Sequence, residues 1–265
     1  MNEWFSILGV KIFNVTRRRA IELLEEAVCH KDRLASVFIV NAHTLNLAAA
    51  DPSYREVLNA ADFVFADGTG VRWAARLQGV RVLDNLVGTD LVPALFRATA
   101  DRGYSYFLLG ADEQTIAVAA DYSRREFPGW TQAGYHHGYL TDDSLVGAEE
   151  TNLNSRRLTA AGEVIDKINA VRPDVLLVGM GNPVQEQWIH NHLPQLSVPV
   201  CMGIGGLFDY WAGNVSRAPQ WLLQIGHEWL WRLYQQPILK APRYLVGNPL
   251  FIARVLQERC GRGPA

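Results

Sequence analysis

Short apolar segments alternate along the chain with longer segments in which apolar residues recur every three or four positions. Alternation of this kind is typical of strands joined by helices in a mainly parallel α/β sheet. Strands are predicted over Phe5–Val10, Ser36–Val40, Phe63–Ala66, Tyr104–Leu109, Thr131–Tyr135, Val175–Val178 and Val198–Met202. Helices are predicted over Arg17–His30, Leu45–Leu58, Thr69–Leu77, Asp90–Arg102, Glu113–Phe127, Thr159–Val171, Val184–His192 and through the C-terminal tail. We expect Thr16 and Asp112 to cap helices, and the polar segment from Tyr139 to Arg157 to form a mobile loop.

Polar or glycine-rich clusters directly follow several of the predicted strands. They are Asn41–Thr44, Asp67–Gly70, Gly110, Gly179–Pro183 and Gly203–Asp209. Because ligands of an open parallel sheet bind beyond the carboxyl ends of its strands, these clusters predict one site along one edge of the sheet. The glycines expected beside a bound phosphate are Gly110, Gly181, Gly205 and Gly206.

The chain of 265 residues is 49% hydrophobic and 20% charged, which is ordinary for a soluble domain with a sizeable core. Its net charge of −2 provides no basic field, so no nucleic-acid partner is expected. The charge is uneven, however. From Asn214 onward Lys and Arg outnumber Asp and Glu seven to two, which predicts an acidic partner for the tail, such as lipid headgroups or phosphates.

The cysteines and the apolar runs indicate the compartment. Cys29, Cys201 and Cys260 have unrelated spacings, which is typical of reduced thiols in a cytoplasmic protein. The N-terminal segment lacks the pattern of a secretory signal, and no apolar run approaches the roughly 20 residues that span a bilayer. We therefore expect a protein that does not cross a membrane but can lie on its surface.

Two carboxylates in these clusters are candidates for chemistry. Asp67 follows a buried-looking strand, among glycines that allow other groups to approach closely. In that position a carboxylate can act as a general base toward a hydroxyl, or it can cap the next helix, and both interpretations stay open. For Asp209, too, two interpretations stay open: it can bind sugar hydroxyls or cap a helix.

The segment Gly179–Glu186 predicts a turn and a helix whose first N–H groups can face an anion. Gln185 lies in the first helical turn, where its amide can reach a sugar or a base, and we favour a substrate contact. For Glu186 we favour a simple complement to the helix dipole. Arg217 precedes Ala-Pro in an irregular segment, where a guanidinium suits a diphosphate, although most surface arginines are only solvated.

Helical spacing in the tail places apolar residues near one face, namely Trp221, Leu222, Ile225, Trp229 and Leu233. Such a face with cations beside it is typical of a helix at a membrane interface. The alternative is a helix that packs on the core or on a second subunit. The concentration of tryptophan between Trp211 and Trp231 favours the membrane.

Several common types of site are not supported by the sequence. His136 and His137 would face opposite sides of a strand, and together with His43 they form no ligand pattern, so no bound metal is predicted. The chain also lacks Asp-x-Asp, Gly-x-Gly-x-x-Gly, Gly-x-x-x-x-Gly-Lys and Gly-x-Ser-x-Gly. Their absence counts against a metal–nucleotide clamp, a dinucleotide site, a P-loop and a hydrolase elbow.

Taken together, the clusters resemble the motifs of the WecG/TagA/CpsF family of bacterial glycosyltransferases, nearly end to end. The blocks that carry the resemblance are Ile7–Val10, Asn41-Ala42 with Asn46, Ala66–Val71, Val87–Asp90, Leu108–Gly110, His137–Tyr139, Gly181–Ile189 and Gly203–Arg217. The chain departs from the family where Asn85-Leu86 replaces a common arginine, and where Gly226-His227-Glu228-Trp229 replaces Gly-Leu-Glu-Trp. The missing cation favours a neutral sugar.

The resemblance implies a Rossmann-like catalytic domain over residues 1–213 and a helical appendage over residues 214–265 that docks on the membrane and completes the active site. It implies inverting, metal-independent transfer of N-acetylmannosamine, its uronic acid or glucose from a UDP-sugar to a polyprenyl-diphosphate-linked sugar. The process would be cell-surface or exopolysaccharide biosynthesis, without a cofactor, at the inner face of the cytoplasmic membrane. Homo-oligomers are common in the family, so a homo-oligomer is a further expectation.

By position, the resemblance implies that Asp67 is the general base. The substrate-binding residues that it implies are Asn41, Thr44, Gln185, Asp209, Arg217, Arg232 and Arg243. We therefore expect the Asp67 carboxylate and the cations of the tail to meet over one pocket. The alternatives are a non-catalytic nucleotide-sugar-binding subunit of a polysaccharide assembly complex and a soluble nucleotide-sugar hydrolase or epimerase.

Overall fold

A mixed sheet forms the centre of the protein. The computed structural model describes residues 3–31, 33–139, 150–219, 221–222 and 228–261, and of residues 150–160 and 239–240 it describes the backbone alone. The strands are β1 (Trp4–Ile7), β2 (Val10–Phe13), β3 (Ala35–Val40), β4 (Phe63–Ala66), β5 (Ser105–Gly110), β6 (Thr131–His136), β7 (Val175–Gly179) and β8 (Val200–Gly203). They form an eight-stranded sheet in the order β1-β2-β4-β3-β8-β7-β5-β6. Among the described strands, β1 and β2 pair antiparallel and all other neighbours pair parallel, so the predicted Rossmann-like, mainly parallel α/β sheet is confirmed.

Helices cover both faces of the sheet and continue into a helical C-terminal appendage. They are α1 (Arg17–Cys29), α2 (Ala42–Ala50), α3 (Pro52–Asn59), α4 (Gly68–Leu77), α5 (Gly88–Ala98), α6 (Glu113–Glu126), α7 (Glu150–Val171), α8 (Val184–His192), α9 (Leu207–Trp211), α10 (Glu228–Gln235), α11 (Pro237–Ala241) and α12 (Gly247–Arg259). A π-helical turn, Pro242–Val246, joins α11 to α12. The predicted caps are confirmed, since Thr16 accepts from the Arg19 N–H and Asp112 from the Thr115 N–H.

The central strand β3 shows how the core is divided. It is buried along its whole length. Phe38 and Val40 point into an apolar cluster that is covered by α2, α3, α4, α7, α8 and α12. Val37 and Ile39 point into a second cluster, on the opposite face, that is covered by α1, α5, α6 and α9. A strand that is covered on both faces has a continuous apolar sequence, which is why this strand can be recognised from the sequence.

Two predicted elements are each split in the structure. The predicted strand Phe5–Val10 is wrong, because the chain reverses at Leu8 and Gly9, whose φ angles are +49° and +77°. Two successive residues with positive φ form the tight turn of a hairpin between β1 and β2. The predicted helix Leu45–Leu58 is also wrong as one element, because Pro52 disfavours helical geometry at Asp51. Asp51 instead caps α3, accepting from the N–H groups of Ser53 and Tyr54.

The loop predicted from Tyr139 to Arg157 can be compared with the structure over only part of its length. Residues 140–149 lie outside the described part of the chain. The backbone from Glu150 onward is helical, so the loop prediction is wrong over residues 150–157 and the helix predicted from Thr159 begins earlier. The polar composition of this stretch concealed its helical backbone.

The final helix, α12, packs on α2 through both apolar and polar contacts. Phe251 and Val255 are buried in the same cluster as the residues of α2. The Asn46 side-chain amide donates to the Gly247 carbonyl at 2.6 Å, and the Arg254 guanidinium donates to both the backbone and the side-chain oxygen of Asn46. A buried amide bonded in this way fixes where the helix begins on α2. No helix in the described ranges is long and apolar enough to cross a membrane.

Candidate active site

A cavity of about 470 Å³ opens at the carboxyl ends of β3 and β4. Its floor is formed where β3 leads into α2 and β4 leads into α4, and its other walls come from α5 and the C-terminal appendage. The predicted site residues that line it are Asn41, Asp67, Arg217, Arg232 and Arg243. The structure therefore brings the carboxylate at the end of β4 and the cations of the tail to one cavity, as the sequence predicts.

Asp67 is at the N-cap position of α4, but its carboxylate does not cap the helix. The Gly68 N–H is bound instead by the side-chain oxygen of Asn85, at 2.7 Å. The capping alternative for Asp67 is therefore wrong. The carboxylate is half-buried and accepts a hydrogen bond from the Asn41 side chain.

The charge state of Asp67 is set by opposing effects. Burial raises the pKa of this carboxyl from its ordinary 3.8 to about 6. The cations of Arg232 and Arg243 and the Asn41 hydrogen bond lower the pKa, whereas the neighbouring Glu228 carboxylate raises it. A carboxylate with this pKa is ionised at neutral pH and is a stronger base than an ordinary aspartate.

Asn41 is held by the first turn of α2. Its side-chain oxygen accepts from the N–H groups of His43 and Thr44, at 3.0 and 3.2 Å, and from the Thr44 hydroxyl at 3.3 Å. With the oxygen occupied, the amide nitrogen is the group that donates to Asp67. Thr44 is fully buried, and its hydroxyl is not part of the cavity surface in the described structure. Its predicted contact with substrate stays a prediction, and its observed contact is with Asn41.

Two of the arginines in the cavity are held by acids. Arg217 forms an ion pair with Asp90 at the start of α5. Arg232 pairs with Glu228 one helical turn earlier, at 3.1 Å, and its guanidinium lies over the Tyr210 ring, 5.1 Å from the centroid. The Tyr210 hydroxyl also donates to Glu228, so one carboxylate joins α9 to α10.

Arg243 differs from these two arginines. It lies in the π-helical turn, with its guanidinium 5.6 Å from the centre of the Tyr244 ring. Among the residues that the structure describes, no carboxylate is within ion-pair distance of it. Burial lowers the pKa of Arg243 below its ordinary value, and a guanidinium remains a cation there. Arg243 is thus a cation in the cavity with which an anionic ligand can pair.

The other predicted residues lie at the carboxyl ends of β5, β7 and β8, outside the cavity surface. Gly110 must be glycine, because a Cβ there would lie 2.3 Å from the Gly179 carbonyl oxygen. Gly181 and Gly205 have φ angles of +79° and +59°, which favour glycine. Gly206 is the N-cap of α9.

Asp209 belongs to this second group and lies in the first turn of α9. Because Gly206 takes the N-cap position, capping is the wrong interpretation for Asp209. Its side-chain oxygen and its carbonyl both bond to Asn214, at 3.5 and 2.9 Å. Its predicted role in donor binding, like the phosphate-adjacent role of the glycines, stays a prediction.

Gln185 is buried, with both ends of its amide engaged. Its nitrogen donates to Glu186 at 2.7 Å, and its oxygen accepts from the Gly205 N–H at 3.0 Å. Its predicted contact with substrate stays a prediction, since this geometry makes Gln185 a support for the turn after β8.

Glu186 is the residue that sequence reasoning missed. Its side chain is fully buried and accepts from Tyr54, Asn182 and Gln185, at 3.0, 2.6 and 2.7 Å. Burial raises the pKa of Glu186. A helix-dipole complement would need none of these contacts. The available signal was the block Gly181–Ile189, which contains Glu186, but the partner Tyr54 is distant in sequence.

The prediction that the apolar residues of the tail share one face is wrong. Trp221 is 63% exposed, whereas its neighbour Leu222 is buried, and Ile225 lies outside the described residues. Trp229 lines the cavity, and Leu233 is half-buried. A different set of large apolar side chains in the appendage is exposed, namely Tyr234, Ile238, Leu245 and Val246.

No cluster of three or more His, Cys, Asp or Glu side chains in the described chain is arranged to hold a metal ion. His136 bonds to the carbonyl of His137 through Nδ1, and the two rings contact each other. The expectation of metal-independent chemistry stays a prediction.

The chain is similar to known proteins along most of its length. A family model described as "Glycosyl transferase WecG/TagA/CpsF family" matches residues 5–264. A protein of Bacillus spizizenii is 32% identical over 242 residues, covering 91% of this chain and 86% of its own length. Relatives from Bacillus subtilis and Staphylococcus aureus are each 30% identical, covering 90% and 96% of this chain and 88% and 92% of their own lengths. All three are named N-acetylglucosaminyldiphosphoundecaprenol N-acetyl-beta-D-mannosaminyltransferase.

We predict that Glu186→Ala lowers the free energy of unfolding by about 2–4 kcal/mol, because it leaves the buried donors of Tyr54 and Gln185 and the half-buried donor of Asn182 without an acceptor. Urea denaturation measures the change. Glu163→Gln, on an exposed position of α7, is the control and should change stability by less than about 0.5 kcal/mol. A Glu186→Ala protein as stable as the control would contradict the network.

Proposed function

Because this chain belongs to the glycosyl transferase WecG/TagA/CpsF family, we propose that it is an inverting, metal-independent glycosyltransferase. It moves a sugar from a UDP-sugar to a polyprenyl-diphosphate-linked sugar in the biosynthesis of bacterial cell-surface polysaccharide or exopolysaccharide. The observation that carries this proposal is the single cavity in which Asp67 faces Arg217, Arg232 and Arg243. A base for an acceptor and cations for a departing diphosphate are the two requirements of such a transfer.

In the proposed reaction Asp67 removes a proton from the acceptor hydroxyl. The oxygen attacks the anomeric carbon from the face opposite UDP, so that the new C–O bond forms as the bond to the UDP oxygen breaks. The electron pair of the broken bond leaves with UDP, and the proton stays on Asp67. One base and a single displacement account for inversion, and the raised pKa of Asp67 supports its role as the base.

The cations of the appendage stabilise the charge that develops on UDP. Arg243 has no acidic partner in the described chain, whereas Arg217 and Arg232 exchange their carboxylate partners for phosphate oxygens. Guanidinium groups bind diphosphates through paired hydrogen bonds, and they act most strongly where water is partly excluded. The appendage over residues 214–265 therefore completes a site that the domain over residues 1–213 begins.

We propose a chemical class for the acceptor and for the donor. The names of the relatives describe transfer of N-acetylmannosamine to N-acetylglucosaminyldiphosphoundecaprenol, which supports a polyprenyl-diphosphate-linked acceptor for this chain. The donor is UDP bearing N-acetylmannosamine, its uronic acid or glucose. Asn85 is bonded to the Gly68 N–H at the cavity wall and supplies no charge, which favours a neutral sugar over the uronic acid.

A lipid-linked acceptor requires the protein to work at a membrane surface. We propose a peripheral position on the inner face of the cytoplasmic membrane, with the exposed apolar residues of the appendage toward the lipid. Tyr234 is 76% exposed and Ile238 is 93% exposed, which is costly in water and favourable at an interface. A homo-oligomer remains a further expectation from the family.

The function is tested by UDP release from each of the three donors, with and without a short-chain prenyl-diphosphate-linked N-acetylglucosamine. We expect release with one donor, and only when the acceptor is present. Release without acceptor would identify a hydrolase. Binding of a UDP-sugar with no release under any condition would identify a non-catalytic subunit.

Asp67→Asn should lower turnover at least about 100-fold, because the amide cannot accept the proton. The variant should be as stable as the original protein or more stable by up to about 3 kcal/mol, because ionising a carboxylate whose pKa is about 6 rather than 3.8 costs that much. UDP release and thermal unfolding measure the two effects. Asp166→Asn, at an exposed position of α7, is the control. Near-normal turnover by the folded Asp67→Asn variant would exclude Asp67 as the base.

The pH dependence follows from the same carboxyl group. Only ionised Asp67 can accept a proton, so kcat/KM for the acceptor should fall below a pH of about 6 and level off above it. Stability changes in the opposite direction. The pKa is higher in the folded than in the unfolded chain, so the contribution of Asp67 to stability is full below pH 4 and is lost as the pH rises through 6. An acceptor kcat/KM that stays constant down to pH 4.5 would contradict this assignment.

A further inference from the structure

A second hollow, of about 500 Å³, lies between α4 and the segment that follows it. Its charged residues are Arg72, Arg76 and Arg81, and its remaining lining is Gly79, Val80, Val82 and Leu83. All three arginines are exposed, and none pairs with a carboxylate within the described residues. Among the described residues, no acid lines the hollow, so its cations are available to an anion.

The hollow adjoins the cavity that contains Asp67, because Arg72 lines both. Helix α4 joins them, since Asp67 immediately precedes its first residue and Arg72 and Arg76 follow one turn apart. At a rise of 1.5 Å per residue, Arg72 lies about 7.5 Å and Arg76 about 13.5 Å along the axis from Asp67. Helix α4 therefore connects Asp67 to two of the unpaired cations, Arg72 and Arg76.

The proposed reaction places two diphosphates near Asp67, and they cannot occupy the same position. The diphosphate of the donor leaves from the carbon under attack, beside the arginines of the appendage. The diphosphate of the acceptor is attached to the same sugar ring as the attacking hydroxyl, so it lies about one ring away from Asp67. It must also lie toward the outside, because the prenyl chain continues from it.

We propose that the hollow formed by Arg72, Arg76 and Arg81 binds the diphosphate of the lipid-linked acceptor. This inference rests on the proposed function. Arginine provides paired donors that match phosphate oxygens, and three unpaired arginines more than balance the two negative charges of a diphosphate that is esterified at both ends. The appendage arginines then bind the departing UDP, and the arginines beside α4 bind the acceptor. The two anions are thus held at opposite ends of the acceptor sugar.

The test compares the original protein with Arg76→Gln/Arg81→Gln, which leaves Arg72 and the catalytic cavity unchanged. With a soluble short-chain prenyl-diphosphate-linked N-acetylglucosamine and no bilayer, the KM for the acceptor should rise at least tenfold. The KM for the UDP-sugar and kcat should change less than twofold. An unchanged KM for the acceptor would overturn the proposal.

The control removes the same number of charges elsewhere. Arg18→Gln/Arg124→Gln changes two exposed arginines on α1 and α6, which cover the opposite face of the sheet. This variant should change the KM for the acceptor less than twofold. An equal rise in both double variants would overturn the proposal, because it would show an effect of net charge alone.

Phosphates of bilayer headgroups are the other source of the same chemistry. Binding to vesicles of phosphatidylglycerol should be equal for the original protein and Arg76→Gln/Arg81→Gln. Weaker vesicle binding together with an unchanged KM for the soluble acceptor would assign the hollow to headgroups and overturn the proposal.

Direct binding separates this inference from the proposed function. Calorimetric titration with the acceptor analogue should show at least tenfold weaker binding to Arg76→Gln/Arg81→Gln, whether or not transfer takes place. An analogue without the diphosphate should bind both proteins equally. If the original protein transfers no sugar, the proposed function fails, whereas equal binding of the diphosphate analogue to both proteins overturns the assignment of the hollow.

Discussion

The partial burial of one carboxylate among opposing charges is the constraint on which the cavity depends. Burial and the Glu228 carboxylate favour the protonated form of Asp67, whereas Arg232, Arg243 and the Asn41 amide favour the ionised form. Either extreme would give a poor base. A fully solvated aspartate holds a proton too weakly, and an unopposed buried one would stay protonated at neutral pH. The pKa of about 6 lies between these limits.

This balance exists only because distant parts of the chain meet. Asp67 follows β4, Asn41 follows β3, and the cations that oppose burial come from the C-terminal appendage. The Asn46 amide fixes the start of α12 on α2, so the wall of the cavity is bonded to the helix that positions Asn41. Loosening the appendage would therefore expose Asp67 and remove its cations at the same time. The same contacts of the appendage therefore cover the cavity and set the charge of Asp67.

The sequence predicts what is decided locally and misses what is decided by contacts across the fold. The buried strand β3 and the position of Asp67 were predictable, because apolar runs and strand ends are visible along the chain. The break at Asp51 was also a local signal, and the prediction underweighted Pro52. The roles of Glu186 and Arg72 were not predictable, because they depend on burial beside Tyr54 and on the shape of two adjoining hollows.

The acids in the cavity explain how a cationic site can remain folded without its ligand. Asp90 and Glu228 pair with Arg217 and Arg232, so the positive charges do not repel one another unopposed. Side chains in both pairs are partly exposed, and ion pairs of that kind contribute only about 0–1 kcal/mol each. A diphosphate that enters can therefore take over the arginines at small cost. In the proposed reaction, the carboxylate of each pair accepts the arginine again when UDP leaves, which favours release of the product.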